Sequence, residues 1–242
     1  MANSVSPNDF KRRSFVAKRL VEAGARFEEV AGAAAAMAFS DDGAEEKAAL
    51  EGCGLADLSP LPRFGIKGRG GPEWLAGQGV AIPETVNTAL RQEDGSLAAR
   101  LSPSEILVLG DLRGGERCGA LYTSWARARM DDPSAARGYA LRRDDSHAWF
   151  RLTGANAPEV FAKLCAVDLR PHRFPALSVA QTSVARSSAI VIREDLAADV
   201  VGYHLLIDSA SARYLWDCLI DAMAEFDGKA VGLRILRQQN AG

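Results

Sequence analysis

Hydrophobic and polar positions along the chain follow two periods, and the points where the period changes mark out its elements. Residues 87–92, 97–101 and 105–109 alternate as strands, with Asp94-Gly95 as a hairpin turn between the first two. Residues 179–182, 189–193 and 203–207 read the same way. Short helices begin near Pro72 and Pro158, covering 72–78 and 157–165, because a proline in the first helical turn gives up an N–H that has no intrahelical partner. Each follows a strand that ends at a glycine, 63–67 in one case and 148–153 in the other. A longer helix closes each set of strands. In the second, Ser209 is the expected cap, and Tyr214, Leu215, Cys218, Leu219, Ala222 and Met223 recur at helical spacing. A last strand is expected after each long helix, around 138–141 and 230–235. The first fifty residues predict a helix over 14–23, an extended piece over 26–30 and a helix over 42–51, expected to drape over the first half.

The two sets of elements are copies. Phe64-Gly65-Ile66-Lys67-Gly68 and Pro72-Glu73-Trp74-Leu75 are echoed by Phe150-Arg151-Leu152-Thr153-Gly154 and Pro158-Glu159-Val160-Phe161, at a constant interval of 86 residues. The interval holds at Ala99-Arg100 against Ala185-Arg186, then lengthens to 98 where Leu107-Val108-Leu109 meets Leu205-Leu206-Ile207. One insertion in the acidic stretch 192–199 accounts for both registers and reads as a lengthened hairpin loop. Two long copies indicate duplicated halves rather than a solenoid. The expected fold class is therefore α+β, with two pseudo-repeated halves of mixed or antiparallel sheet under covering helices. The expected division is an N-terminal helical segment over 1–50 and halves over 51–142 and 143–242.

Composition adds mainly exclusions. The 242 residues are 48% hydrophobic and 25% charged, as in an ordinary globular protein, and the length suits one large domain or two fused halves. The net charge of −2 provides no global field for nucleic acid or an anionic membrane, and neither is expected as a partner. No 18-residue apolar stretch or secretory leader is recognisable, so a cytoplasmic location is expected. Cys53, Cys118, Cys165 and Cys218 have no C-x-x-C spacing and read as reduced thiols in apolar surroundings.

Candidate chemistry is sparse. Gly65, Gly68, Gly70 and Gly71 fit neither phosphate-binding glycine pattern, and they read as a tight strand-to-helix turn. His147, His172 and His204 show no metal-ligand spacing, and no catalytic metal or nucleophile motif occurs. Trp74, Trp149 and Trp216 sit among apolar neighbours and read as core. The loop 168–174 is the most site-like stretch: Arg170, His172 and Arg173 together suit an anionic ligand or a partner surface.

Gly24-Ala25-Arg26, Gly54-Leu55-Ala56-Asp57-Leu58-Ser59 and Ile66-Lys67-Gly68-Arg69-Gly70 resemble, in order and spacing, the N-terminal part of the glycine-cleavage aminomethyltransferase family. The second half is similar to the gamma subunit of heterotetrameric sarcosine oxidase. The motifs are His147-Ala148-Trp149-Phe150, Phe161-Ala162-Lys163-Leu164-Cys165, Val167-Asp168-Leu169, Ala180-Gln181-Thr182-Ser183-Val184-Ala185-Arg186 and Tyr203-His204-Leu205-Leu206. The resemblance implies an aminomethyltransferase-like fold of two related halves around a channel that, in active members, holds tetrahydrofolate. It also implies a catalytic acid on a first-half hairpin, where this chain has Ala98-Ala99, and an alanine cannot accept a proton. The implied role is a non-catalytic accessory subunit that binds no cofactor itself. Its partners would be larger flavoprotein and folate-binding subunits of an oxidase acting on sarcosine or a related N-methyl amine. The alternative is a stand-alone tetrahydrofolate-binding one-carbon transferase or carrier, with Arg170, Arg173, Arg186 and His204 around the ligand.

Overall fold

The computed structural model describes residues 5–131 and 138–239. The chain opens with α1 (Ala17–Glu22), the hairpin β1 (Arg26–Val30) and β2 (Ala33–Ala38), then α2 (Gly43–Cys53) and β3 (Gly54–Asp57). The first block supplies β4 (Arg63–Gly68), α3 (Gly71–Gly77), β5 (Thr88–Arg91), β6 (Leu97–Ser102), β7 (Glu105–Leu109) and α4 (Arg117–Asp131). A linking stretch of β8 (Gly138–Leu141) and α5 (Arg143–Ser146) leads to the second block. That block is β9 (His147–Thr153), α6 (Ala157–Leu164), β10 (Val179–Val184), β11 (Ser187–Arg193), β12 (Gly202–Asp208) and α7 (Ala212–Met223), followed by β13 (Lys229–Ala230) and α8 (Leu233–Gln239). Among the described residues no helix is long and apolar enough to cross a membrane.

Strand alternation sorts the side chains into three layers. Phe64, Ile66 and Val108 point outward beneath Leu75, Leu121 and Trp125 of α3 and α4. On the other sheet Phe150, Val191 and Leu205 point outward beneath Val160, Phe161, Leu215 and Leu219 of α6 and α7. The inner faces meet each other, placing Ala99, Leu107 and Leu109 against Trp149, Ile192 and Leu206. Burying each large side chain is worth about 1.5–3 kcal/mol, so this three-layer sorting is the main source of stability. The sheets also touch at their edges, where Ala89 N–H donates to Leu177 O (2.7 Å) and Val179 N–H to Asn87 O (2.9 Å).

The sheet orders are β5-β6-β7-β4-β8 and β10-β11-β12-β9-β3-β13, so each block's own four strands occupy equivalent places. The next strand in each sheet is exchanged. β3, which leads into β4, pairs antiparallel with β9, and β8, which leads into β9, pairs antiparallel with β4. The two connections therefore pass each other at one place, and Arg63 sits there with no solvent exposure. Its Nη1 donates to Leu61 O (3.0 Å) and Ser59 O (3.1 Å) of one connection, and its Nη2 to His147 O (2.9 Å) and Asp144 O (3.1 Å) of the other. Burial pushes its pKa down to about 10, which leaves it charged at neutral pH. Ser59 reinforces the crossing by accepting from the Trp149 N–H (3.0 Å).

Several expectations need correction. The N-terminal segment packs on the second half and between the halves: Val16, Leu20, Phe27, Ala34 and Ala36 join the core beneath α6 and α7, and Arg19 pairs with Asp217 of α7 at 2.8 Å. The alanine-rich stretch 33–38, unassigned from sequence, is strand β2 and is wholly buried. Small side chains are needed there because α8 crosses β2 so closely that a Cβ on Gly232 would lie 2.0 Å from Met37 O. The strand expected over 230–235 shrinks to β13, and the rest begins α8. Asp208, rather than Ser209, caps the turn that starts α7, accepting from Ala210 N–H at 2.8 Å.

The single insertion is also revised. Phe64 pairs with Val108, Val108 with Ala98 and Ala98 with Leu90, whereas Phe150 pairs with Leu205, Leu205 with Val191 and Val191 with Ala180. Val108 therefore corresponds to Leu205, one residue from the sequence match, which would have turned the strand inside out. The extra residues are shared among the loop before β10, the longer strands of the β10–β11 hairpin and the β11–β12 loop.

Replacing Arg63 with Met, similar in volume but without donors, leaves the crossing carbonyls unsatisfied. We expect a loss of about 3–5 kcal/mol in urea unfolding, against less than about 1 kcal/mol for Arg69→Met on the surface.

Candidate functional site

The second sheet presents a row of polar groups to the inner face. On β9, Trp149 and Arg151 alternate with the outward Ala148, Phe150 and Leu152, and on β12 His204 and Leu206 alternate with the outward Tyr203, Leu205 and Ile207. The lengthened β11–β12 loop supplies Glu194, which is 6% exposed, while Arg151 and His204 are 0% and 2% exposed. These groups form one chain of contacts. Trp149 Nε1–H donates to His204 Nδ1 (3.0 Å), His204 Nε2 lies 2.8 Å from Glu194 Oε2, and Arg151 Nη2 lies 3.1 Å from the same oxygen. Arg91 of β5, on the facing sheet, closes the chain at Glu194 Oε1 (2.7 Å).

The indole is only a donor, so it fixes the histidine as the neutral tautomer with its proton on Nε2, directed at the carboxylate. Burial, reinforced by the Arg151 charge, holds the His204 pKa down at about 4. For Glu194, burial pushes upward, but the hydrogen bond from His204 and the charge of Arg151 outweigh it and hold the carboxyl at about 2. Burial lowers Arg151 as well, and its Nε is buried without a partner.

A cleft lies near each end of this row. One, of about 250 Å³, is lined by Arg91, Asp94, Asp111, Arg113 and Arg237 and opens beside the β5–β6 hairpin. The other, of about 440 Å³, is lined by His147, Gln181, Thr182, Ile190 and Leu206. Trp149 and Leu206, paired across β9 and β12, stand between the two polar ends. Ala98 of the hairpin points outward to α3 and α4, and Ala99 points inward. A pterin ring seated between the sheets would have to displace Trp149 and Leu206, and the nearby polar groups are already bonded to one another. The residues on this face therefore do not fit tetrahydrofolate at that place.

The structure distributes the sequence candidates over two faces. Arg170, exposed, forms a two-pronged pair with Asp168 (2.8 and 2.9 Å), and the exposed His172 lies 4.0 Å from the same carboxylate. Arg173 is exposed on the same loop. Arg186 is exposed in the β10–β11 turn and lines a cleft adjoining that of Arg170. His204 is on the inner face, within the buried chain of contacts. Arg151, Glu194 and Arg63 were not singled out by sequence reasoning. The available signal was an arginine flanked by apolar residues inside an alternating strand, as in Trp149-Phe150-Arg151-Leu152. The glycine cluster forms the expected turn, with Gly70 at φ +80° preceding α3. No group of three His, Cys, Asp or Glu suited to a metal occurs among the described residues.

The depressed His204 pKa has a definite sign. The unfolded side chain takes up a proton near pH 6.5 and the folded one only near 4, so the stabilisation is complete above 6.5 and is lost as pH falls toward 4. His204 alone accounts for up to about 3 kcal/mol of that loss, and His147, also held at about 4 by burial, adds in the same window. His204→Gln is expected to be less stable at pH 7 but to show a shallower decline between pH 6.5 and 4 in urea titrations.

The sequence profile of the GCVT N-terminal domain matches residues 93–239. An aminomethyltransferase from Saccharopolyspora erythraea is 27% identical over 219 residues, covering 87% of this chain, and the chain spans 58% of that relative's length. Among solved structures, glycine cleavage system aminomethyltransferase T from Bartonella henselae superposes with a TM-score of 0.71 at 15% identity, covering 95% of this chain and 62% of that one. A chain of the heterotetrameric sarcosine oxidase from Corynebacterium sp. U-96, solved with pyrrole 2-carboxylate, gives 0.60 at 23% identity, covering 78% of this chain and 94% of that one. The profile match over more than half the chain, on an aminomethyltransferase-like fold, shows that this protein belongs to the GCVT N-terminal domain family.

Proposed function

We propose that the protein is a non-catalytic, gamma-like accessory subunit of a flavin- and tetrahydrofolate-dependent oxidase of sarcosine or a related N-methyl amine. The observation that carries this reading is the filled inner face. Ala99 stands where the resemblance implies an acid, Trp149 and Leu206 occupy the space between the sheets, and the remaining charged groups, Arg91, Arg151 and Glu194, are paired with one another. A site of this kind holds two halves together instead of presenting a base to a substrate. Coverage supports the same reading, since the chain matches 94% of the Corynebacterium sarcosine oxidase chain but only 62% of the aminomethyltransferase structure. In this reading the larger flavoprotein and folate-binding subunits carry the chemistry in the cytoplasm. Arg170, His172 and Arg173 on the exposed loop are then the surface that meets them.

Affinity purification of the tagged chain from its native cells, followed by mass spectrometry and an absorption spectrum, tests this proposal. We expect larger subunits in fixed stoichiometry and a flavin spectrum; a colourless, lone chain would overturn it. A thermal-shift titration of the isolated chain with tetrahydrofolate separates the alternative. No shift is expected, whereas a bound ligand at about one hundred times its Kd would add about 2.7 kcal/mol and raise Tm measurably.

A further inference from the structure

The β10–β11 hairpin turns through two residues, Ala185 and Arg186, between the paired Val184 and Ser187. Both have positive φ, +47° and +65°. A two-residue turn of this hand is the usual place for Asn-Gly, because side chains other than glycine are strained there. The strain is retained in a turn fixed to its surroundings, with Ala185 N–H donating to Leu164 O (2.8 Å) at the end of α6. It presents Arg186 to a cleft of about 470 Å³ between α6 and α7, whose lining also includes Lys163, Leu164, Cys165, Tyr214 and Cys218.

The charge of this cleft is one-sided, because no carboxylate lines it. Lys163 is engaged, its Nζ donating to Ala222 O (2.9 Å), pairing with Glu225 and lying over the Phe226 ring. The Arg186 guanidinium has no hydrogen-bond or ion-pair partner among the described residues. Tyr214 and Cys218 lie one helical turn apart on α7, and the Tyr214 side chain is about half exposed, so an aromatic face borders the free cation. An unpaired guanidinium beside apolar and aromatic walls suits an anionic group carried on an apolar body.

We propose that this cleft binds a small organic oxyanion, a carboxylate or phosphate ester with an apolar or aromatic body, whose charged group is held by Arg186. The site lies on the outer side of the second sheet, apart from the buried chain at His204, and does not depend on the accessory-subunit reading.

Cys165 and Cys218 line the cleft and are partly exposed, so an occupant shields them. The experiment measures iodoacetamide alkylation of each thiol in the full chain by mass spectrometry while phenyl phosphate is titrated. We expect saturable slowing at both thiols, by several-fold, with an apparent Kd weakened at least tenfold in Arg186→Gln and unchanged in Arg69→Gln. Absence of slowing up to about 10 mM phenyl phosphate, or slowing undiminished in Arg186→Gln, would overturn the proposal. Arg186→Gly supplies a second readout. It relieves the positive-φ strain and is expected to raise Tm by about 2–4 °C while losing the protection; a glycine variant that stays protected also overturns the assignment.

Discussion

A single buried guanidinium holds the molecule's two sheets in their relative places. Each sheet takes one strand from the segment that introduces the other half, so the two introducing segments must cross. Crossing backbone is costly to bury, because carbonyls in connecting segments lack the regular partners that strands provide. Arg63 meets that demand from one position, with donors in a fixed fork reaching both segments. A lysine or glutamine has too few donors in too small a span to do the same. The crossing fixes β9 next to β3, and β9 in turn carries Trp149 and Arg151 to the inner face.

The inner face follows the same economy of charge. Glu194, brought in by the lengthened β11–β12 loop, receives Arg151 and His204 from its own sheet and Arg91 from the facing one. Buried ion pairs are weak sources of stability, but removing one partner is expensive, so such a chain specifies which surfaces meet. Here it joins the halves across the inner face. The same geometry that couples the halves also occupies the space.

The duplicated architecture was legible because strand alternation, Asp94-Gly95 and the prolines at 72 and 158 all act locally. Helix and strand positions in both blocks accordingly match the sequence reading to within a few residues. Features set by distant contacts were not legible. The alanine run at 33–38 has helical propensity, yet α8 pressing on it requires a thin strand. The register of β7 against β12 slipped by one, since Leu107-Val108-Leu109 is apolar on both faces and alternation carries no information there. The buried chain at His204 escaped because its members come from strands far apart in sequence, and only Arg151 betrayed it, as a charge inside an apolar strand.

The exchange of β3 and β8 also bears on how the chain is made. β3 leaves the ribosome before the first block, but the partner it lies against, β9, is synthesised only after the whole of that block. At about 5–20 residues per second the wait is on the order of 5–20 s, during which a buried-type strand, Gly54-Leu55-Ala56-Asp57, has no neighbour. The first sheet is likewise incomplete until β8 emerges. Neither half can finish as an independent unit, so the nascent chain carries an unpaired strand until the first block has been made and β9 emerges.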